Sequence, residues 1–429
     1  MAGRFTIYNS PARRSSARVA FMGNPMMITE LLQTELRRLE ESNTLKYETV
    51  LRSPQGGTVD VAGKKLVMLA SNNYLGMSNH PLMRKAAMEG IRKFGYGLAS
   101  ARFLCGTQTI HQELERQLAA FLGTGDAILF SSSFAANIGF FSAITNEKMG
   151  RETYKDVIYS DRLNHASIID GQRLCRPEVT DKKIYNHADV AHLAQQLEED
   201  ISKEYRVRMI ASDGVFSMEG DMAPLPQLVE LAQRYGALLF IDDAHGIGTM
   251  GKTGRGTAEH FGLMGKVDVI VGTLGKAIGG SAGGFIAGSK EMIDYMRQKA
   301  RTYVFSNSLP PSIVMASIAA LKLLKKDKSI VRRLHDNTAY FRKEIRGLGF
   351  TVLAGEHPIV PVMLGDAGRA QNMSAELQKA GVYIKGLWHP VVPQGEARLR
   401  AQISAAHSRK ELDRALDAFE KVGKKLGVI

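Results

Sequence analysis

The 429-residue chain has only two cysteines, Cys105 and Cys175, a single tryptophan and no long apolar run. Two cysteines allow one disulfide at most, so no disulfide framework holds this fold and a reducing compartment is expected. Neither a Cys-x-x-Cys nor a His-Glu-x-x-His spacing occurs, so a metal site has no support. No apolar stretch approaches the roughly 18 residues of a membrane-spanning helix. The net charge is +13, yet Lys and Arg are scattered and no basic stripe interleaves with aromatics. Nucleic acid is therefore not an expected partner, and the charge suits anionic small molecules. Residues 1–27 contain no acid and carry Arg4, Arg13, Arg14 and Arg18. That composition is that of a mitochondrial transit peptide, with an untargeted cytoplasmic extension as the alternative.

The rest reads as a globular protein, 44% apolar and 23% charged, long enough for two domains. Ile28, Leu31, Leu32, Leu36 and Leu39 fall on one side of a helix over residues 28–42. A short hairpin over 59–70 turns at Ala62 and Gly63. From about residue 80 to 309, helical and strand patterns alternate. Strands are expected at 127–130, 157–160, 208–213, 238–242 and 268–273, and helices at 114–122, 191–203 and 225–235. Such alternation predicts a mostly parallel sheet with helices on both faces, an α/β fold. Beyond a helix at 312–324 the pattern becomes that of a smaller α+β domain. Its expected helices are 334–348, 371–380 and 410–426, and its strands 350–352, 358–363, 383–387 and 397–403. The expected division is thus a leader (1–27), an N-terminal segment (28–79), a large domain (80–311) and a small one (312–429).

Ligands in parallel sheets gather at the carboxyl ends of the strands, where Asp213, Asp242 and Thr273 stand. Lys276 follows there, in the run Gly272-Thr273-Leu274-Gly275-Lys276-Ala277-Ile278-Gly279-Gly280. A surface lysine in a Gly-rich loop is the bland reading. A Walker phosphate loop fails, because Ala277 stands where Ser or Thr is required and Ile270 where the first Gly should be. Small neighbours leave room for a planar group, and burial would lower the amine's pKa toward neutrality. Lys276 and Asp242 at two strand ends are what pyridoxal phosphate chemistry requires: an amine for the aldehyde and a carboxylate for the ring nitrogen. His245, three residues after Asp242, would reach the ring hydroxyl. His165 would stack on the ring, although a lone histidine is more often a core residue. Ser217 offers a hydroxyl at another strand end. The turn Ser131-Ser132-Ser133-Phe134 before a predicted helix suits a phosphate, as most such turns suit simple capping. Thr273 and Ser306 are further phosphate candidates. Arg400 alternates with apolar residues on a strand and has the geometry for a carboxylate.

Four runs, Asn72-Asn73-Tyr74-Leu75-Gly76, Asn164-His165-Ala166-Ser167, Asp242-Asp243-Ala244-His245 and Gly272-Thr273-Leu274-Gly275-Lys276, resemble the α-oxoamine synthase branch of the fold-type I pyridoxal phosphate transferases. The resemblance covers nearly the whole chain after residue 28. Within the branch, residues 97–108, Pro361 to Asp366, Pro390 to Pro393 and the terminal Leu426 to Ile429 are similar to the glycine C-acetyltransferases, also called 2-amino-3-ketobutyrate CoA ligases. The leader and extra length near 146–155 depart from the pattern. The resemblance implies that Lys276 carries the cofactor, Asp242 pairs with its ring nitrogen and His165 stacks on it. His245 and Ser217 would lie on the ring-hydroxyl side. Ser132, Ser133, Phe134, Thr273 and a partner subunit's Ser306 would hold the phosphate, and Asn72 and Arg400 the substrate. It further implies a homodimer condensing glycine with acetyl-CoA to 2-amino-3-oxobutanoate and CoA, or the reverse in threonine breakdown. The decarboxylating branch members are the alternative activity. A catalytically dead partner subunit is the rival from another class, and one that would not need Lys276.

Overall fold

The structure, a computed structural model, describes residues 25–42 and 44–429. Residues 1–24 of the expected leader lie outside the described residues. The residues up to Thr49 and those from Val50 to Ile429 form separate compact units. In the first, the expected amphipathic helix runs over Pro25–Glu41. The second opens with the expected hairpin, β1 (Thr58–Val61) and β2 (Lys64–Met68). Ala62 and Gly63 turn it with φ of 52° and 82°, the left-handed pair that a tight hairpin turn demands.

Seven strands form the central sheet: β3 (Asp126–Phe130), β4 (Asp156–Asp161), β5 (Thr180–Tyr185), β6 (Val207–Asp213), β7 (Leu238–Asp242), β8 (Val269–Thr273) and β9 (Gly284–Gly288). Their order is β3-β9-β8-β7-β6-β4-β5. β4 to β8 pair in parallel, and β9 runs antiparallel between β3 and β8. Alternation along each strand feeds two cores. Leu239 and Ile241 enter one, beneath the helices Thr109–Leu122, Leu225–Tyr235 and Pro311–Lys326. Phe240 enters the other with Phe140 and Phe141 of the helix Ser133–Thr145. Phe240 is fully buried, so truncation to Ala would cost about 3–5 kcal/mol.

A third core, around Phe341, Val360, Leu399 and Phe419, lies under β10 (Ile359–Gly365), β12 (Gly386–Leu387) and β13 (Ala397–Gln402). β11 (Val382–Tyr383) instead joins β2 in parallel. The expected strand over 383–387 is therefore two pieces in two sheets. Residues 350–352 form no strand: Val352 makes a single bridge to Val362. The expected helix over 191–203 ends earlier, at Glu199.

Candidate active site

Parity decides which strand-end side chains converge. Asp242 lies two residues beyond Phe240, Asp213 two beyond Ala211 and Thr273 two beyond Val271. Phe240, Ala211 and Val271 all belong to the core beneath the helix Ser133–Thr145. Asp213, Asp242 and Thr273 therefore point to one face at the carboxyl ends of β6, β7 and β8. Asn137 of that helix confirms the direction. Its Nδ2 donates to Asp242 Oδ2 at 2.6 Å and to Ser167 Oγ at 2.7 Å, while Ala244 N donates to Asp242 Oδ1 at 3.0 Å.

Lys276 is half-buried in the loop after β8. Burial lowers its amine to about 8, against the opposing pull of Asp242 and Asp213. At that value about a tenth of the amine is unprotonated at pH 7. Asp213 moves the other way. Burial, and then the charge of Asp242, pushes its carboxyl well above the usual range. Its Oδ2 accepts from His165 N at 2.8 Å. The His165 ring is exposed, with Nδ1 2.7 Å from Ser167 Oγ and the Phe134 ring 6.3 Å away.

His245 is buried, and burial, with the Lys276 charge next, holds it well below the usual histidine range. Its Nδ1 is 3.0 Å from the Tyr74 hydroxyl. Burial raises Tyr74 to about 12, so that hydroxyl keeps its proton. Gln402 Nε2 donates to the same oxygen at 3.3 Å. The same hydroxyl lies 3.4 Å from Asn72 Oδ1, a second acceptor, so the donor in the Tyr74–His245 pair follows the imidazole tautomer. Gln402 also donates to Asn72 Oδ1. His357, fully buried, has Nε2 3.0 Å from the His245 carbonyl, and its Nδ1 accepts from Ile359 N at 3.0 Å.

The start of the helix Ser133–Thr145 meets the start of β9. Ser132 Oγ accepts from Ala135 N at 3.0 Å, and Ser132 bridges Gly283. A Cβ on Gly284 would lie 2.1 Å from Ser133 N, so only glycine lets the strand pass the helix end this closely. Thr273 Oγ1 donates to Gly283 O at 3.1 Å and accepts from Gly275 N at 3.1 Å, fixing the turn into Lys276. Ser306 lines a narrow cleft with Ser131 and Phe130. Among the described residues, no bond joins it to the Lys276 group.

The two strand arginines divide. Arg398 is fully buried and paired, with Glu219 at 3.2 Å and Glu396 at 2.8 Å. Arg400 has no carboxylate partner among the described residues. Its Nη1 donates to Ser217 O at 2.8 Å and meets Met218 Sδ at 3.8 Å. Burial lowers its pKa. Ser217 thus meets Arg400 through its carbonyl, not its hydroxyl, and Asn72 meets Gln402. Asn137 and Tyr74 had no assigned role in the sequence reading. The signal for Asn137 was only that it is the one amide in that helix.

A sheet of this order, with lysine and aspartate at its strand ends over a helix N-terminus, is the fold-type I architecture. The profile of class I and II aminotransferases matches residues 64–419. An Escherichia coli protein named 2-amino-3-ketobutyrate coenzyme A ligase is 46% identical, covering 93% of this chain and 98% of that one. The Mus musculus protein of that name, marked mitochondrial, is 43% identical over 98% and 97%. An 8-amino-7-oxononanoate synthase from Thermoanaerobacter pseudethanolicus is 44% identical over 93% and 98%. Serine palmitoyltransferase from S. paucimobilis, solved with a PLP–myriocin aldimine, superposes with a TM-score of 0.86 at 30% identity, covering 95% and 100%. The chain belongs to the class I and II aminotransferase family and, within it, to the α-oxoamine synthases.

Proposed function

We propose that this chain is a pyridoxal phosphate-dependent glycine C-acetyltransferase, joining glycine and acetyl-CoA to give 2-amino-3-oxobutanoate and CoA, and acting in the cell in the reverse sense during threonine degradation. The single observation that carries it is the half-buried Lys276 amine, lowered to about 8 beside Asp242 and Asp213. The likeness to proteins named 2-amino-3-ketobutyrate coenzyme A ligase supports the choice within the family.

The donor set fits the cofactor. Lys276 would hold its aldehyde carbon. Asp242, kept in place by Asn137 and Ala244 N, would hold its ring nitrogen protonated. The exposed His165 ring would cover one face, and the His245 imidazole would meet the ring oxygen, with Ser217 nearby. Ser132, Ser133, Phe134 and Thr273 stand where a helix N-terminus favours a phosphate, and Ser306 of a second subunit would complete that group. When bound, pyridoxal phosphate supplies an electron-withdrawing cationic ring that weakens the bonds at the amino carbon.

The chain's own groups do the rest. The Lys276 amine would take the glycine Cα proton as general base, for which a pKa of about 8 is close to matched. Arg400, free of a carboxylate partner, binds the glycine carboxylate and keeps it from being lost, with Asn72 beside it. Tyr96, Phe103, Leu104 and Phe305 are large apolar side chains left exposed, and such exposure supports a homodimer with shared sites. The acid-free leader and the mitochondrial relative support a mitochondrial location, with a cytoplasmic one as the alternative.

The 8-amino-7-oxononanoate synthase relative favours a second reading, decarboxylating condensation. One assay separates them. With glycine and acetyl-CoA, the holoenzyme should release CoA thiol and no carbon dioxide. Carbon dioxide release, or turnover only with a longer acyl-CoA, selects the second reading. Borohydride reduction and peptide mapping should label Lys276; a label elsewhere removes both.

A further inference from the structure

Outside the Lys276 group, two carboxylates grip one imidazole. His187 follows β5, with Nδ1 3.1 Å from Asp161 Oδ1 and Nε2 2.9 Å from Asp221 Oδ2. Its ring stands edge-on to Phe216 at 4.4 Å. A ring nitrogen facing a carboxylate must carry a proton, and here both do, so the ring is an imidazolium. Burial opposes that charge, but the bonds and charges of Asp161 and Asp221 outweigh it and raise the ring to about 10.

The two acids belong to different pieces of the site. Asp161 ends β4 and also accepts from Leu163 N at 2.8 Å and Ala188 N at 2.9 Å, anchoring the turn that presents His165. Asp221 closes the loop after β6, where Phe216 N donates to Asp221 O at 3.0 Å and Gly220 N to Phe216 O at 2.8 Å. That loop supplies the Ser217 carbonyl to Arg400, and Met218 O and Glu219 to Arg398. The second Asp221 oxygen is buried without a partner among the described residues, so its carboxylate is held through His187.

We propose that His187 is a positioning residue, tying the turn that carries His165 to the loop that aims Arg400, and so setting affinity for the amino-acid substrate. The proposal rests on reading Arg400 as the carboxylate-binding group. Glu219, the other acid facing this corner, is committed to Arg398.

The test compares His187→Gln, Asp221→Asn and their double variant as holoenzymes. The Km for glycine should rise about tenfold in each, the cost of losing a charge-assisted bond, with kcat within about twofold and the acetyl-CoA Km unchanged. The double variant should be no worse than the weaker single one, because the two groups act as one unit. Amide exchange at Phe216 and Gly220 should quicken while β7 and β8 stay protected. An unchanged glycine Km alongside a lowered melting temperature, or additive losses in the double variant, would overturn the proposal. Should the wild type not turn over glycine, unchanged exchange at Phe216 and Gly220 in His187→Gln still refutes the tie, whereas quickened exchange upholds it and places the failure on Arg400.

Discussion

Asp156 and Asp242 are both buried carboxylates at strand ends of one sheet, 0% and 4% exposed, yet their surroundings are opposite in kind. Asp156 begins β4, and Arg206 answers it: Nε donates to Oδ1 at 3.0 Å and Nη2 to Oδ2. The same guanidinium donates to Glu147 O at 2.6 Å and Ile144 O at 2.9 Å, and lies 4.0 Å from the Tyr154 ring. Val207 N adds a bond to Asp156 at 3.1 Å. At the other end of the sheet Asp242 has an amide and a backbone N–H, no arginine, and a second acid, Asp213, for company. The cation beside them is Lys276, an amine that burial has weakened. Charge at the first end is settled by pairing. At the second it is held up by the fold, as functional sites often are.

The sharpest break in this comparison is Lys276→Ala. Glycine-dependent CoA release should fall at least about a thousandfold, the scale of a lost nucleophile and general base, while the unfolding midpoint at pH 7 holds or rises, because a buried cation goes with the side chain. Steady-state kinetics and a urea melt on one preparation check both halves. A large loss of stability would mean that Lys276 is a structural cation like Arg206.

The converse change is Arg206→Ala, which strands Asp156 in the interior. We expect a loss of about 3–5 kcal/mol in urea unfolding, the usual result of removing one partner of a buried pair. Surviving folded protein should keep its kcat. A fall in kcat at unchanged stability would show that the first end also serves the chemistry. Arg206 also clasps the carbonyls of Ile144 and Glu147, at the edge of the extra length near 146–155, so that segment is fastened to the settled end of the sheet.

Much of the second end was legible in the sequence, for a physical reason. A buried strand ending in Asp or Thr announces its own polarity, and two-residue parity then places Asp213, Asp242 and Thr273 on one face. Lys276 was found by the smallness of its neighbours. The helix Ser133–Thr145 was foreseen, but its Asn137 was not weighed, because one amide in an apolar run has no periodic signature. β5 escaped because Asp181, Lys182 and Lys183 follow one another through it, at the edge of the sheet, and break the apolar alternation. β9 escaped because Gly284 and Gly288 carry no strand signal; their value lies in the approach to Ser133 and Asp268. The division of residues 383–387 between two sheets depends on register with distant partners, β2 and β13, which no local pattern encodes. Nor could spacing separate Arg398 from Arg400: only the acids around Arg398 do so.

The smallest effect distinguishes the ends by pH. In cofactor-free protein Lys276 titrates near 8, whereas an unfolded lysine titrates near 10.4. Between those values the unfolded chain binds the extra proton, so this group makes stability rise with pH across roughly 8 to 10, by about 2 kcal/mol for a half-buried amine. Asp243, buried 2% exposed and raised by burial to about 8, acts with the opposite sign. Its folded carboxyl holds a proton that the unfolded one has lost, so its contribution is full below about pH 4 and gone above 8. Their pH windows adjoin near 8, so a raw stability profile mixes them. Differences separate them. Subtracting the Lys276→Ala profile from wild type should leave a curve rising above pH 8, and subtracting Asp243→Asn a curve falling below it. A flat first difference would mean that Lys276 titrates as an exposed lysine does, and the contrast between the two ends of the sheet would then lose its electrostatic basis.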